Sequence, residues 1–113
     1  VKDGPDVNDP LNGDDVLKAL SALANPHRLR VIAALTGGRN YVSQLARELG
    51  MSRPLLHLHL QRLEAAGLVE GTLELSDDGK AMKYYNVSPF SILLTPQRIA
   101  EAAATLSDED TGD

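Results

Sequence analysis

No cysteine occurs among the 113 residues, which excludes disulfide bonds and thiolate metal ligation and is compatible with a reducing compartment. No stretch approaches the roughly 20 apolar residues of a membrane-spanning helix, and the first residues lack the charged-then-apolar order of a signal peptide. Both point to a cytoplasmic chain without a membrane partner. Catalytic equipment is also missing: there is no nucleophile motif, no glycine-rich phosphate loop and no pair of carboxylates in a predicted rigid setting, so the chain is not expected to be an enzyme. The length allows one small domain plus tails, whose stability is expected to draw on a partner subunit.

What is present is charge placed unevenly. The net charge is −5, yet residues 26–62 hold six arginines (Arg28, Arg30, Arg39, Arg47, Arg53 and Arg62) against one acid, Glu48, for a local charge of +5. Residues 1–25 and 86–113 hold three cations against ten acids, or −7. A basic middle between acidic ends suits the steering of a polyanion, with an arginine-rich solvated face as the lesser alternative from charge alone.

Residues 41–67, YVSQLARELGMSRPLLHLHLQRLEAAG, read as a helix-turn-helix. Leu45, Ala46 and Leu49 fall at helical spacing, Gly50 stands where a left-handed residue ends a helix, and Ser52 is an N-cap for the next one. Pro54 is tolerated only near that restart, where the amides lack intrahelical partners. Leu56, Leu60 and Leu63 then form an inner stripe that Gly67 terminates.

On either side the pattern predicts further elements. Residues 1–13, rich in Asp, Asn, Pro and Gly, are expected to be a disordered acidic tail. Asp14 or Asn12 would cap a first helix carrying Val16, Leu20 and Leu23, widened by Leu17 and Ala24. Asn25-Pro26 opens a second helix through Leu29, Ile32, Ala33 and Leu35, with Arg28 and Arg30 left in water. Alternation over residues 69–75 predicts a strand, with Val69, Gly71, Leu73 and Leu75 on one side and Glu70, Thr72 and Glu74 on the other. Ser76-Asp77-Asp78-Gly79 supplies a turn and residues 80–87 the return strand. Residues 88–94 fit either an irregular connector or, the preferred reading, a short strand through Phe90, Ile92 and Leu94. Thr95-Pro96 opens a last helix bearing Ile99, Ala102, Ala103 and Leu106, whose alanines let another helix approach closely. Residues 107–113 are a second disordered acidic tail, leaving 14–106 as the domain. The fold class is α+β and mainly helical.

This order of elements resembles the winged helix-turn-helix transcription regulators of the ArsR/SmtB family over roughly residues 14–106. The segments that carry the resemblance are LKALSALANPHRLRVIAAL at 17–35, VSQLARELGMS at 42–52 and HLQRLEAAGLV at 59–69, in order and correctly spaced. The resemblance implies a three-helix core, a β-hairpin wing, and first and last helices that build a homodimer through Val16, Leu20, Leu23, Ile99, Ala102, Ala103 and Leu106. It also implies a transcriptional regulator that binds a pseudo-palindromic operator in double-stranded DNA, with the helix at 52–66 in each half-site.

A helix that enters the major groove needs short or polar side chains on its exposed N-terminal face. Ser52, Arg53 and His57 meet that requirement, and Arg53 is the candidate for bidentate pairing with guanine. Ser43, Gln44, Arg47 and Arg62 are candidates for phosphate contacts, as are Lys80 and Lys83 on the wing. Two features count against an ordinary site. Leu55 and Leu58 lie outside the inner stripe, where a thymine methyl would account for one exposed leucine, and Asp77-Asp78 at the hairpin tip would repel DNA; Leu55 is kept among the candidate DNA contacts.

Many relatives bind metals, but the family's marks are incomplete in this chain. A thiolate site is excluded, and the last helix offers Glu101 without a histidine. His57 and His59 sit about 200° apart on a helix and cannot chelate one ion. His59 reads better as a hydrogen-bonded structural histidine and His27 as a solvated residue. The remaining metal-ligand candidates are His27, His59 and Glu101, whose nitrogen and oxygen donors would favour nickel, zinc or cobalt over copper(I). A second reading of the whole chain is a winged-helix protein-interaction module that relies on a separate sensor protein, its acidic ends holding it off nonspecific DNA.

Overall fold

The computed structural model describes residues 11–107; the rest of the two expected acidic tails lies outside the described residues. Helix α1 spans Gly13–Leu23, α2 Pro26–Thr36, α3 Val42–Leu49, α4 Arg53–Ala65 and α5 Pro96–Ala103, with strands β1 at Asn40–Tyr41, β2 at Val69–Leu75 and β3 at Ala81–Val87. Local chemistry sets most boundaries. Asn12, rather than Asp14, caps α1 by accepting from the Asp15 amide at 3.0 Å, so the helix starts within the stretch expected to be tail. Asn25, Ser52 and Thr95 cap α2, α4 and α5, each followed by a first-turn proline. Gly50 adopts φ +64°, a conformation costly for any residue with a Cβ, and thereby turns the chain from α3 into α4.

The core lies where α2, α3 and α4 meet the root of the sheet. Leu56, Leu60 and Leu63 of α4 pack with Val31, Leu35, Leu45, Leu68, Val69 and Tyr85, all buried. The inner face of α2 differs from expectation: Val31 and Leu35 point inward while Leu29 and Ala33 are exposed. Arg28 lies on the inner side, half-buried, its Nε donating to the Ala22 carbonyl at 2.6 Å; Arg30 is exposed as expected. The expectation of two wet arginines fails for Arg28 because its chain spans the gap between α1 and α4, where its donors find acceptors.

The sheet has the antiparallel order β1-β3-β2, with Tyr41 opposite Tyr84, Val69 opposite Val87 and Leu75 opposite Ala81. Only the root of the β2–β3 hairpin is covered. Leu73 and Leu75, expected on a buried side, are 68% and 76% exposed because the hairpin projects past the body. Residues 88–94 form no strand. Ser88 donates to the Leu68 carbonyl at 3.0 Å, Pro89 has no N–H to offer, and β3 already has a neighbour on both sides.

Candidate nucleic-acid interface

Ser52 accepts from the Leu55 amide at 3.3 Å, which starts α4 and leaves the serine hydroxyl proton free to donate outward. The leucine stripe fixes the roll of α4 against the core, so Arg53 and His57, about 40° apart around the helix, share its exposed side. They line a cleft of about 280 Å³ with Tyr41, Val42 and Ser43 at the start of α3 and Ala81, Met82 and Lys83 of β3. Gly71 of β2, opposite Tyr85, leaves space for this arrangement: a Cβ there would meet Lys83 Cε at 2.6 Å and the Tyr85 ring at 2.9 Å. The Lys83 ammonium lies 5.4 Å from the centre of that ring. Four of the expected contact residues, Ser43, Arg53, His57 and Lys83, therefore converge from three elements.

The other candidates stand apart. Gln44 donates to Glu48 at 3.2 Å and belongs to a neighbouring depression of about 450 Å³ that also holds Arg39, Asn40 and Tyr84. Arg62 lies about half a turn around α4 from Arg53 and lines a different depression, of about 190 Å³, with Lys18 and Arg28. Arg47 and Leu55 are exposed. Lys80 is at the base of the wing tip, its backbone N–H held by the Ser76 hydroxyl at 3.2 Å. The Ser76 hydroxyl also donates to Asp78, and this contact holds the Asp78 carboxyl below its usual range, so the tip stays anionic. Behind the tip, Arg39 pairs with Glu74 and covers the Tyr84 ring at 4.4 Å.

Four cleft residues, Tyr41, Val42, Ala81 and Met82, were not anticipated. Tyr41 reaches the cleft through β1, a two-residue strand that leaves no periodic signal; Met82 could have been found from its place beside Lys83 on the return strand.

The metal candidates do not assemble. Among the described residues no group of three or more His, Asp or Glu side chains could hold an ion. The His27 and His59 rings stack with centres 5.7 Å apart and planes at 28°, so their in-plane lone pairs run alongside each other instead of meeting at one point. His59 Nδ1 faces Arg28, and Glu101 lies exposed on α5. Within one chain these three residues do not share a nickel or zinc shell.

Away from the residues of this cleft, α5 lies on α1. The Gly13 amide donates to Thr105 Oγ1 at 2.6 Å, and the Ser107 amide to Asp14 at 3.2 Å. Beside this joint runs an apolar groove of about 150 Å³ formed by Leu11, Val16, Leu17, Leu20, Leu94, Ile99, Ala103 and Leu106, with Ala102 buried beneath. Leu23, expected on the same face, instead packs against the main core.

Comparison with known proteins agrees with this geometry. A helix-turn-helix domain family model matches residues 23–72, from the end of α1 into β2. An uncharacterised HTH-type transcriptional regulator of Methanocaldococcus jannaschii is 36% identical over 80 residues, which span 71% of this chain and 83% of that protein. The HTH-type transcriptional regulator CmtR of Mycobacterium tuberculosis is 41% identical over 63 residues, 56% of this chain; the chain spans about half the length of that relative, 50%. Among solved structures, the homodimeric winged helix-turn-helix DNA-binding domain of a possible ArsR-family regulator from Mycobacterium bovis superposes with a TM-score of 0.61 at 32% identity, covering 67% of this chain and 66% of that one. Similarity of this extent, on a fold with the same helix-turn-helix and wing, places the chain in the ArsR-type winged helix-turn-helix transcriptional regulators, a family of regulators and not of enzymes.

Proposed function

We propose that the chain binds double-stranded DNA as a homodimer, with α4 of each subunit in the major groove of one half of a pseudo-palindromic operator. The observation that carries this reading is the convergence of Arg53, His57, Ser43 and Lys83 on one open cleft. Arg53 reads a guanine edge, Ser43 and Lys83 hold phosphates on either side, and Arg47 and Arg62 add affinity without sequence information. The exposed leucines of the α1–α5 groove support a twin subunit as its cover, since an apolar groove rimmed by Leu20 and Ile99 gains from leaving water. The homodimeric state of the Mycobacterium bovis domain is consistent with that assignment.

A gel-shift titration of the full chain on DNA from its own promoter region tests the reading. Retarded complexes are expected for the unaltered chain and a loss of at least tenfold in affinity for the Arg53→Ala, Lys83→Ala double variant. Equal binding by the two would remove the cleft from the account.

A further inference from the structure

We infer that Leu55 and Leu58 of α4 read thymine methyl groups, making A·T pairs part of the half-site; the inference rests on the operator-binding role proposed above for this helix. At 100° per residue, Pro54, Leu58, Gln61 and Ala65 fall along the middle of the exposed face of α4, with Arg53 and His57 on one flank and Leu55 and Arg62 on the other. Leu55 and Leu58 are 41% and 44% exposed. The side of the helix that faces away from the core therefore carries Leu58 at its centre beside Gln61 and an arginine at each margin, with the one acid Glu64 on the Arg53 flank.

Single exposed leucines are ordinary, but this pair has two further properties. The two are i, i+3 neighbours, about 5–6 Å apart between Cβ atoms, so they cover one continuous spot. The arginines that flank them on α4, Arg53 and Arg62, form no ion pair among the described residues. An apolar spot framed by unpaired cations matches a surface that is anionic at its edges and apolar at its centre. In the major groove the one apolar group on a base edge is the C5 methyl of thymine. With base pairs stacked about 3.4 Å apart, two leucines at this separation reach methyls on neighbouring or next-neighbouring pairs. Gln61, exposed at i+3 from Leu58, supplies the amide that pairs with adenine N6 and N7. A protein partner with an apolar helix would satisfy the leucines but would leave the arginines without counter-charges.

The test uses duplexes selected by the full chain from a random library made with thymine, then resynthesised with deoxyuridine at one position at a time, which removes the methyl and leaves every hydrogen-bonding group in place. Fluorescence anisotropy is expected to show about fourfold weaker binding at one or two thymines per half-site, the factor that burial of one methyl group supplies. The Leu58→Ala variant, its fold checked by circular dichroism, should bind the thymine duplex several-fold more weakly and no longer distinguish uracil from thymine at one of the sensitive positions, the Leu55→Ala, Leu58→Ala double variant should distinguish them at none, and Leu58→Met, which keeps an apolar tip, should still distinguish them. Selection of duplexes with equal affinity for the thymine and uracil forms at every position overturns the thymine reading and leaves operator binding standing. If no duplex is retained at any salt concentration, operator binding falls and this inference falls with it.

Discussion

Arg28 Nη1 lies 3.4 Å from Nδ1 of the buried His59, while its Nε holds the Ala22 carbonyl at 2.6 Å, so one side chain of α2 joins α1 to α4. A guanidinium has only donors, which makes Nδ1 the acceptor and leaves the ring proton on Nε2. His59 is 5% exposed, and Nε2 has no hydrogen-bond partner in the described structure. Burial, and then the charge of Arg28 with smaller contributions from His27 and Arg62, holds the His59 pKa below 6.5.

This contact makes stability depend on pH. Unfolded, His59 titrates near its ordinary value of 6.5; folded, it titrates lower. Between those values the unfolded chain binds more protons, so the contribution is complete above about pH 6.5 and is lost as pH falls toward the folded pKa. Thermal melts at pH 7.5 and 5.5 should show a lower midpoint in acid, and His59→Gln should narrow the gap. An unchanged gap would remove His59 from the account.

Gly13→Ala tests the joint between α1 and α5. Alanine normally favours a helix over glycine by about 0.5–1 kcal/mol, but a Cβ at this position would stand 2.3 Å from the Ala102 carbonyl oxygen and 2.7 Å from Leu106 Cδ2. Overpacking of this kind typically costs about 1–3 kcal/mol, so urea unfolding should show net destabilisation. A stabilised variant would mean that α5 does not lie on α1 as described.

Leu20→Asp places a charge in the apolar groove without touching the main core. Light scattering is expected to show dimers for the unaltered chain and monomers for the variant, with circular dichroism unchanged. Dimers in both would move the subunit contact elsewhere.

Arg53 and Arg62 should separate specificity from affinity. Arg53→Ala is expected to relax discrimination at one base pair by about 1–3 kcal/mol. Arg62→Ala should weaken all sequences alike and lower the salt slope by about one. Competition binding with operator and scrambled duplexes measures both.

The parts of the fold that were legible in the sequence are those fixed by local chemistry. Asn25, Ser52 and Thr95 mark helix starts because a cap followed by proline fits little else, and the α4 stripe of Leu56, Leu60 and Leu63 is buried as its spacing predicts. Tertiary context decided the rest. Phe90, Ile92 and Leu94 alternate like a strand, but β1 and β2 already flank β3. Leu73 and Leu75 obey the right period at the uncovered end of the hairpin. Arg28 was expected in water because nothing local announces an acceptor on another helix. At the cleft, Ser43, Arg53, His57 and Lys83 were identifiable as polar groups near the turn and on the wing, whereas Tyr41 depends on a strand too short to leave a pattern.

Salt dependence of DNA binding tests the central claim most directly. Fluorescence anisotropy of the full chain on promoter DNA, between about 50 and 200 mM salt, should show affinity falling by powers of ten as counterions return to the phosphates, with two chains bound per duplex. Affinity indifferent to salt, or a single chain per duplex with no preference for that DNA over a scrambled sequence, would contradict a dimer that reads an operator through α4.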